Sequence, residues 1–264
     1  MKGPPRQRAA RREEKLNYHW HWQVLFEMEP GGTGTYLHYL LGGLVWTLAT
    51  ALAAWVIALV VGAIVGTLRT TSIRPVVRLG NLYVEIFRNI PLIVQMFLWF
   101  FVLPEIVPKA LGDYMKQVPP PWGSYIPAVL CLGVFTSVRV AEQVRAGIQS
   151  LPRGQGMAAI AMGLTGAQAY RYVILPQSFR IILPPLTSEF MNIIKNSSVA
   201  LTIGLLELTG RARAMQEFSF RVFEAFTAAT VIYLLTNLVV VLLMRALETK
   251  VRVPGLIAVQ QAGH

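Results

Sequence analysis

Arg139 carries the side chain with the most specific binding chemistry in this sequence. Thr136 and Gln143 share a helical face with it, and Glu142 follows after three residues. The planar guanidinium of an arginine can hold a carboxylate through two parallel hydrogen bonds. Arg139 could therefore bind an external carboxylate, or it could form a buried ion pair with Glu142, and the sequence leaves both possibilities open.

Two further polar clusters interrupt the apolar segments. Ser188, Asn192 and Lys195 follow i, i+4, i+7 spacing and share one helical face. Lys195 lies near the centre of its segment, where an ionisable group is costly and indicates function. It could contact an anionic ligand or hold a carboxylate of a partner chain. Glu85 and Arg88 can pair on one face, and because Arg88 can reach the headgroups a structural role is favoured for them.

No constellation for catalysis, for a metal or for another cofactor is present in the sequence. The single cysteine, Cys131, excludes an intramolecular disulfide and a cysteine-rich metal site. His19 and His21 have no further ligand nearby, and the aromatic segment 18–22 that contains them is typical of an interfacial membrane anchor. A phosphate-binding G-x-x-x-x-G-K-[ST] loop is also absent.

The composition indicates that these residues belong to a membrane protein. The 264 residues are 54% hydrophobic and 14% charged, whereas soluble domains average about 25% charged residues. The net charge of +11 does not indicate a nucleic-acid partner, because Lys and Arg lie mainly between long uncharged runs. A disordered chain is excluded, and an ordinary cytosolic enzyme is disfavoured.

Five segments are predicted to cross the bilayer, whose core of about 30 Å needs about 20 helical residues. They are residues 39–68, 82–104, 124–147, 182–206 and 225–244. The predicted fold class is therefore an all-α membrane protein with five transmembrane helices. We expect residues 1–38 to form a basic tail and interfacial segment, residues 39–248 the membrane domain, and residues 249–264 a cytoplasmic tail.

Positive charge predicts the orientation of these helices. The basic loop residues are Arg69, Arg74 and Arg78 after the first span, Arg145, Arg153, Arg171 and Arg180 after the third, and Arg245, Lys250 and Arg252 after the fifth. Placing all three groups in the cytoplasm requires the N-terminus outside and the C-terminus inside. The basic residues near the N-terminus favour the opposite orientation, but they lie too far from the first span to decide it.

The predicted cytoplasmic loop 149–181 has the composition of two short helices. Residues 157–162 are strong helix formers, and Gly163 can end that helix in a left-handed conformation. Thr165 and Gln168 have the spacing of a capping box, which predicts the start of a second helix.

The second helix is predicted to run to Leu175 and to end at Pro176. The paired Ala158 and Ala159 predict a shallow face that could pack into a groove on a partner, or else against the rest of the chain.

This loop resembles the EAA loop of ABC-importer permeases, in which Glu-Ala-Ala and a Gly precede Ile-x-Leu-Pro at fixed spacing. The matching residues are Ala158, Ala159, Gly163, Leu175 and Pro176. Met157 stands where the pattern has Glu, and Val173 where it has Ile. The missing Glu affects one polar contact to the ATPase rather than the docking itself.

Other segments are similar to helix signatures of polar amino-acid permeases. They are residues 83–95, 142–152 and 184–198. The similarity extends over roughly residues 42–247, and segments 150–155 and 195–197 resemble glutamate/aspartate permeases in particular. Where relatives for neutral or cationic amino acids tend to have Tyr, this chain has Arg139. Where many relatives have Asp, it has Asn196, and the loss of that charge reduces repulsion of an anionic substrate.

The resemblance implies a multi-pass subunit of a type I ABC importer in the inner membrane, which moves glutamate and aspartate by alternating access. Implied partners are a dimer of ATP-binding subunits, a second and related permease chain, a periplasmic amino-acid-binding protein and the lipid bilayer. Docking of the ATPase would involve the matching loop residues. The substrate pathway would be lined by Arg139, Gln143, Ser188, Asn192, Lys195 and Asn196.

Three alternatives remain at this point. The substrate could be another polar amino acid of the glutamine, histidine or arginine class. The chain could instead be an ion-driven secondary transporter, although such proteins favour internal repeats of helices, which five spans do not offer. It could also be a membrane scaffold subunit, against which the polar groups at membrane depth argue.

Overall fold

The computed structural model describes residues 18–251, which are helical and contain no β-strand. The predicted tails up to residue 17 and beyond residue 251 lie outside the described residues. The α-helices are Tyr36–Leu68 (α1), Arg74–Asn89 (α2), Leu92–Phe97 (α3), Leu103–Ile106 (α4), Lys109–Gln117 (α5), Trp122–Gln149 (α6), Arg153–Ala161 (α7), Gly166–Ala169 (α8), Leu175–Asn196 (α9), Leu208–Ser219 (α10) and Val222–Val251 (α11). Two π-helical turns, Leu98–Val102 and Tyr170–Ile174, and two 3₁₀-helices, Trp22–Phe26 and Ser197–Ile203, complete the helical structure of this part.

Helices α1 and α6 pack against each other along much of their length. Small residues on α1 permit this approach: a Cβ on Gly62 would come within 2.5 Å of Val140 Cβ, and one on Gly66 within 2.7 Å of the Ala141 carbonyl oxygen. The side of α1 away from α6 exposes large aliphatic residues. A helix with one small-residue side and one large aliphatic side is suited to packing in lipid.

Three helices of residues 18–251 are long and apolar enough to cross a bilayer, namely α1, α6 and α11. They correspond to the first, third and fifth predicted spans. The second predicted span is bent by 101° between α2 and residues 92–106. Ile90 has an extended backbone there because Pro91 disfavours a helical conformation in the preceding residue. The Gln95 side-chain amide donates to the carbonyl oxygens of Phe87 and Ile90 and so satisfies the broken end.

The fourth predicted span, residues 182–206, is not one continuous α-helix. Helix α9 continues through Pro184 and Pro185 and ends at Asn196. A 3₁₀-helix follows and ends at Gly204, which has the left-handed φ of 83°. Helix α9 is not among the helices that are apolar enough to cross a bilayer, and it carries the charged residues Arg180, Glu189 and Lys195. Judged by length and composition, the described residues contain three helices that could cross a membrane, or four if the bent pair is one span. The predicted number was five.

Pro176 does not end the second helix of loop 149–181, so this prediction is wrong. The chain passes from α8 through the π-helical turn into α9, with Pro176 in the first turn of α9. Proline has no N–H to donate, and the first turn of a helix leaves its N–H groups without helical partners. The π-helical turn therefore accommodates the proline, and the helical structure continues past it. Pro104 has the same position after the other π-helical turn.

Candidate functional site

Arg139 on α6 faces Glu189 on α9, with Arg139 Nη1 3.5 Å from Glu189 Oε2. The Arg139 side chain is 45% exposed and that of Glu189 12%. The guanidinium carbon lies 5.2 Å from the ring centre of Phe135, which adds a cation–π contact. Of the two possibilities left open by the sequence, the pair with Glu142 is not formed, because Arg139 and Glu142 point to different neighbouring helices.

Glu142 instead forms an ion pair with Arg69 at the end of α1, with Oε1 3.0 Å from Arg69 Nη2. The Arg69 side chain is only 4% exposed, and its Nε donates to Asn81 Oδ1 at 2.8 Å. Gly80 leaves room for it, since a Cβ there would lie 2.6 Å from Arg69 Cγ. From the sequence, Arg69 was identified only as one of the positive charges that predict the orientation of the helices in the membrane. Through its contacts with Asn81 and Glu142, the buried Arg69 side chain holds α1, α2 and α6 together.

The polar face predicted on α9 is present and open. Ser188 and Lys195 are exposed, and Asn192 and Asn196 are half-buried. No carboxylate of residues 18–251 lies within 4 Å of the Lys195 ammonium group. Glu189 follows Ser188 in α9, and its ion pair with Arg139 places the guanidinium at the edge of this face.

The sequence also singled out Gln143 on α6 and a possible pair of Glu85 and Arg88 on α2. Gln143 is half-buried on α6, one helical turn beyond Arg139. Glu85 and Arg88 form no ion pair in the described part of the chain. Both side chains are exposed on α2, where water or headgroups can solvate each of them separately.

The local signals of loop 149–181 are confirmed. Helix α7 ends before Gly163, which has the left-handed φ of 91°. Thr165 and Gln168 form the capping box: the Gln168 N–H donates to Thr165 Oγ1, and the Thr165 N–H donates to Gln168 Oε1. Two short helical segments thus meet at a glycine.

The two alanines of this loop do not share a face, contrary to our expectation. Ala158 is exposed, whereas Ala159 is buried with 2% of its surface exposed. Adjacent residues of a helix point about 100° apart, which allows Ala159 to pack inside the chain while Ala158 faces out. Three large apolar side chains are exposed on α7 and at the residue that follows it, namely Met157, Ile160 and Met162. We call these three residues the α7 knob.

The other two matching loop residues lie where the loop joins the bundle. Leu175 is half-buried and packs against an apolar cluster that contains Ile148 and Ile182, and Pro176 is exposed. Tyr170 at the start of the π-helical turn donates its hydroxyl to Thr70 Oγ1 at 2.9 Å. Loop 149–181 is therefore attached to both α6 and the end of α1.

A buried glutamate that the sequence did not single out joins three helices elsewhere in the bundle. Glu207 is fully buried and accepts hydrogen bonds from the N–H groups of Thr209 and Gly210 at 2.9 and 2.8 Å, which caps α10. The hydroxyls of Tyr233 on α11 and Thr47 on α1 donate to the same carboxylate. With four donors and no cation among its partners, this carboxylate has a structural role.

The aromatic segment 18–22 is attached to the beginning of α11. Tyr18 donates its hydroxyl to Glu224, and the His21 N–H donates to Glu224 Oε1 at 2.7 Å. The hydrogen bond to this carboxylate raises the pKa of Tyr18. Trp20 and Trp22 stack with ring centres 5.0 Å apart. In residues 18–251 no group of three His, Cys, Asp or Glu side chains could hold a metal ion.

Sequence comparison relates the chain to transport proteins. Residues 58–253 match the family described as binding-protein-dependent transport system inner membrane component. The glutamate/aspartate import permease protein GltJ of Escherichia coli (strain K12) is 48% identical over 241 residues, which cover 91% of this chain and 98% of that protein. The glutamate/aspartate import permease protein GltK of Escherichia coli O6:H1 is 32% identical over 226 residues, covering 86% of this chain and 99% of that protein.

Solved structures show the same architecture. An amino acid ABC transporter crystallised with histidines matches with a TM-score of 0.70 and 32% identity, over 81% of this chain and 95% of that chain. The methionine ABC transporter MetNI matches with a TM-score of 0.67, over 82% of this chain and 98% of that chain, and at 20% identity this likeness concerns the fold alone. The chain therefore belongs to the family of inner membrane components of binding-protein-dependent transport systems, the permease subunits of ABC importers, which have no catalytic activity of their own.

Proposed function

We propose that this chain is the permease subunit of an ATP-driven importer that carries glutamate and aspartate across the inner membrane by alternating access. The observation that carries the proposal is the half-exposed Arg139 guanidinium on the open polar face of α6 and α9. The 48% identity to a glutamate/aspartate import permease supports the same substrate class.

The proposed pathway follows the polar face. Ser188, Asn192 and Lys195 are exposed or half-exposed along α9, with Asn196 at its end and Gln143 on α6. Lipid cannot satisfy such groups, so they must face a partner subunit or a water-filled passage. We assign Arg139 to the side-chain carboxylate of the substrate and Lys195 to general attraction of anions. A cationic lining favours acidic over neutral substrates.

The proposed topology has five spans with the N-terminus outside and the C-terminus inside, within a membrane domain of residues 39–248. Helix α9 would be the fourth span in spite of its charged residues, because Arg139 and Glu189 can neutralise each other at membrane depth. This orientation brings loop 149–181 to the cytoplasm, where an ATPase can bind it.

Coupling to ATP hydrolysis is proposed to use the α7 knob. Met157, Ile160 and Met162 expose apolar surface on a short helix and at the residue that follows it, and flexible methionine side chains fit into grooves on a partner. Ala158 is assigned to the same contact. Ala159, Gly163, Leu175 and Pro176 are assigned to the shape and attachment of the loop.

The proposed partners are a dimer of ATP-binding subunits, a second permease chain and a periplasmic amino-acid-binding protein. Two relatives, GltJ and GltK, are both named glutamate/aspartate import permeases, which supports a related chain as the second permease.

The experiment is transport by the complete complex in proteoliposomes. We expect uptake of radiolabelled glutamate and aspartate that requires ATP and the binding protein. Preferential uptake of glutamine, histidine or arginine would replace the proposed substrate with another polar amino acid. Uptake without ATP under a proton or sodium gradient would contradict the ATP-driven mechanism.

A further inference from the structure

The ion pair between Arg139 and Glu189 is loose. Its 3.5 Å separation joins one guanidinium nitrogen to one carboxylate oxygen. A charge-assisted hydrogen bond between an arginine and a carboxylate is shorter, about 2.7–2.9 Å, and is frequently bidentate. The contact therefore neutralises charge without using the geometry that makes arginine a specific carboxylate receptor.

The two side chains of this ion pair differ in their exposure to solvent. The Glu189 side chain is 12% exposed, and its Oε2 accepts no hydrogen bond from the described residues. The Arg139 side chain is 45% exposed and also rests on the Phe135 ring. Water can solvate much of the guanidinium, whereas the carboxylate has little solvation apart from this cation.

The other carboxylates near α6 and α9 have different partners. Glu142 pairs with the buried Arg69, and Glu248 accepts a hydrogen bond from Thr187 at 2.7 Å. In the part of the chain that the structure describes, Glu189 is thus the carboxylate that occupies Arg139.

We propose that Glu189 is an internal competitor for the substrate, a specificity-determining residue that holds Arg139 until a substrate carboxylate replaces it. This inference rests on the proposed transport of acidic amino acids. An incoming carboxylate can bind the exposed part of the guanidinium through two hydrogen bonds.

Displacement leaves the Glu189 carboxylate buried without its cation, and this cost opposes binding. The permease therefore holds acidic substrates weakly enough to release them. A neutral amino acid has no side-chain carboxylate to replace that of Glu189, so Arg139 stays paired and the pair disfavours this substrate relative to an acidic one.

The test compares Glu189→Gln with the wild-type chain in the purified complex. Binding of radiolabelled glutamate is measured without the binding protein, and ATP-driven uptake with it. We expect Glu189→Gln to lower the Kd for glutamate by about fivefold or more. We also expect kcat for uptake to fall because release becomes slower. Glu189→Asp keeps the charge and should leave the Kd near the wild-type value.

Two comparisons separate competition from a general structural effect. Glu217→Gln removes an exposed carboxylate that pairs with Arg213 on α10, and it should change neither quantity. In the Arg139→Gln background, Glu189→Gln should have no further effect on the Kd, because the receptor itself is absent. An independent structural role would make the two effects additive.

The outcomes also separate this inference from the proposed function. If the wild-type complex imports glutamate and Glu189→Gln leaves the Kd unchanged or raises it in an assembled complex, the competitor role is overturned and the function stands. If the wild-type complex imports neither glutamate nor aspartate, the proposed function fails, and the competitor role fails with it.

Discussion

Tyr170 and Thr70 join the loop that follows α6 to the end of α1 through a hydrogen bond of 2.9 Å between the tyrosine hydroxyl and Thr70 Oγ1. The same hydroxyl lies 3.3 Å from the Thr70 carbonyl oxygen. Thr70 follows Arg69, which is buried and bound to Glu142 and Asn81. A displacement of the loop therefore acts on a fixed point of the bundle rather than on a free chain end.

Tyr170→Phe should weaken the coupling of ATP hydrolysis to transport. The lost hydrogen bond contributes about 1 kcal/mol, and we expect about a twofold to fivefold fall in substrate transported per ATP hydrolysed. The measurement is simultaneous uptake and phosphate release in proteoliposomes. Tyr172→Phe, on an exposed side chain of the same turn, is the matched control and should leave the ratio unchanged. An unchanged ratio for both variants would show that this bond does not transmit movement.

Glu142→Gln should destabilise the bundle because it leaves the buried Arg69 without its counter-ion. The expected loss in the free energy of unfolding is about 2–3 kcal/mol, the lower part of the range for broken buried pairs, since Glu142 is itself partly exposed. Denaturant unfolding of the purified complex measures it.

A second variant tests whether the pair or only the buried charge matters. Arg69→Met removes the buried charge and keeps much of the side-chain volume, so the double variant with Glu142→Gln should be more stable than Glu142→Gln alone. Additive losses in the double variant would contradict a direct interaction between the two side chains.

Local signals in the sequence predicted the structure well where one residue type decides the backbone. Gly163 ends α7 with a left-handed φ, and Thr165 and Gln168 form their capping box. Both features depend on contacts within four residues. Long uncharged runs likewise predicted α1, α6 and α11, because hydropathy alone determines such segments.

Tertiary relationships could not be read from spacing. Arg139 and Glu142 lie on one helix at a favourable separation, yet each pairs with a residue of another helix, Glu189 or Arg69. These choices depend on how α6 packs between α1 and α9. Pro176 shows the same limit, because a proline that usually stops a helix follows a π-helical turn that accommodates it.

Ile160→Glu should weaken binding of the ATP-binding subunits. Ile160 is 58% exposed in the α7 knob, and a glutamate there would place an unpaired charge in an apolar contact. We expect at least about a tenfold weaker association, measured by co-purification of the ATP-binding subunits at graded concentrations. Tyr114→Glu, at a similarly exposed position on α5, should not affect association.

The buried Ala159 provides a contrast to this variant. Ala159→Glu should reduce the folded yield of the chain rather than its association, because residue 159 packs inside the chain. Normal association of a well-folded Ile160→Glu variant would exclude the α7 knob as the docking surface.

Thiol labelling of single cysteines should determine the side of the membrane on which the α7 knob lies. The native Cys131 is fully buried, and burial makes it an inert background for this purpose. Met162→Cys introduces a thiol at a position that is 78% exposed, and Tyr114→Cys one that is 68% exposed on α5. With the N-terminus outside and five spans, a membrane-impermeant maleimide added to intact cells should label Cys at 114 and not at 162. Permeabilised cells should show labelling of both. If the reagent reaches position 162 from outside, an ATPase in the cytoplasm cannot bind the α7 knob, and the proposed coupling to ATP hydrolysis is wrong.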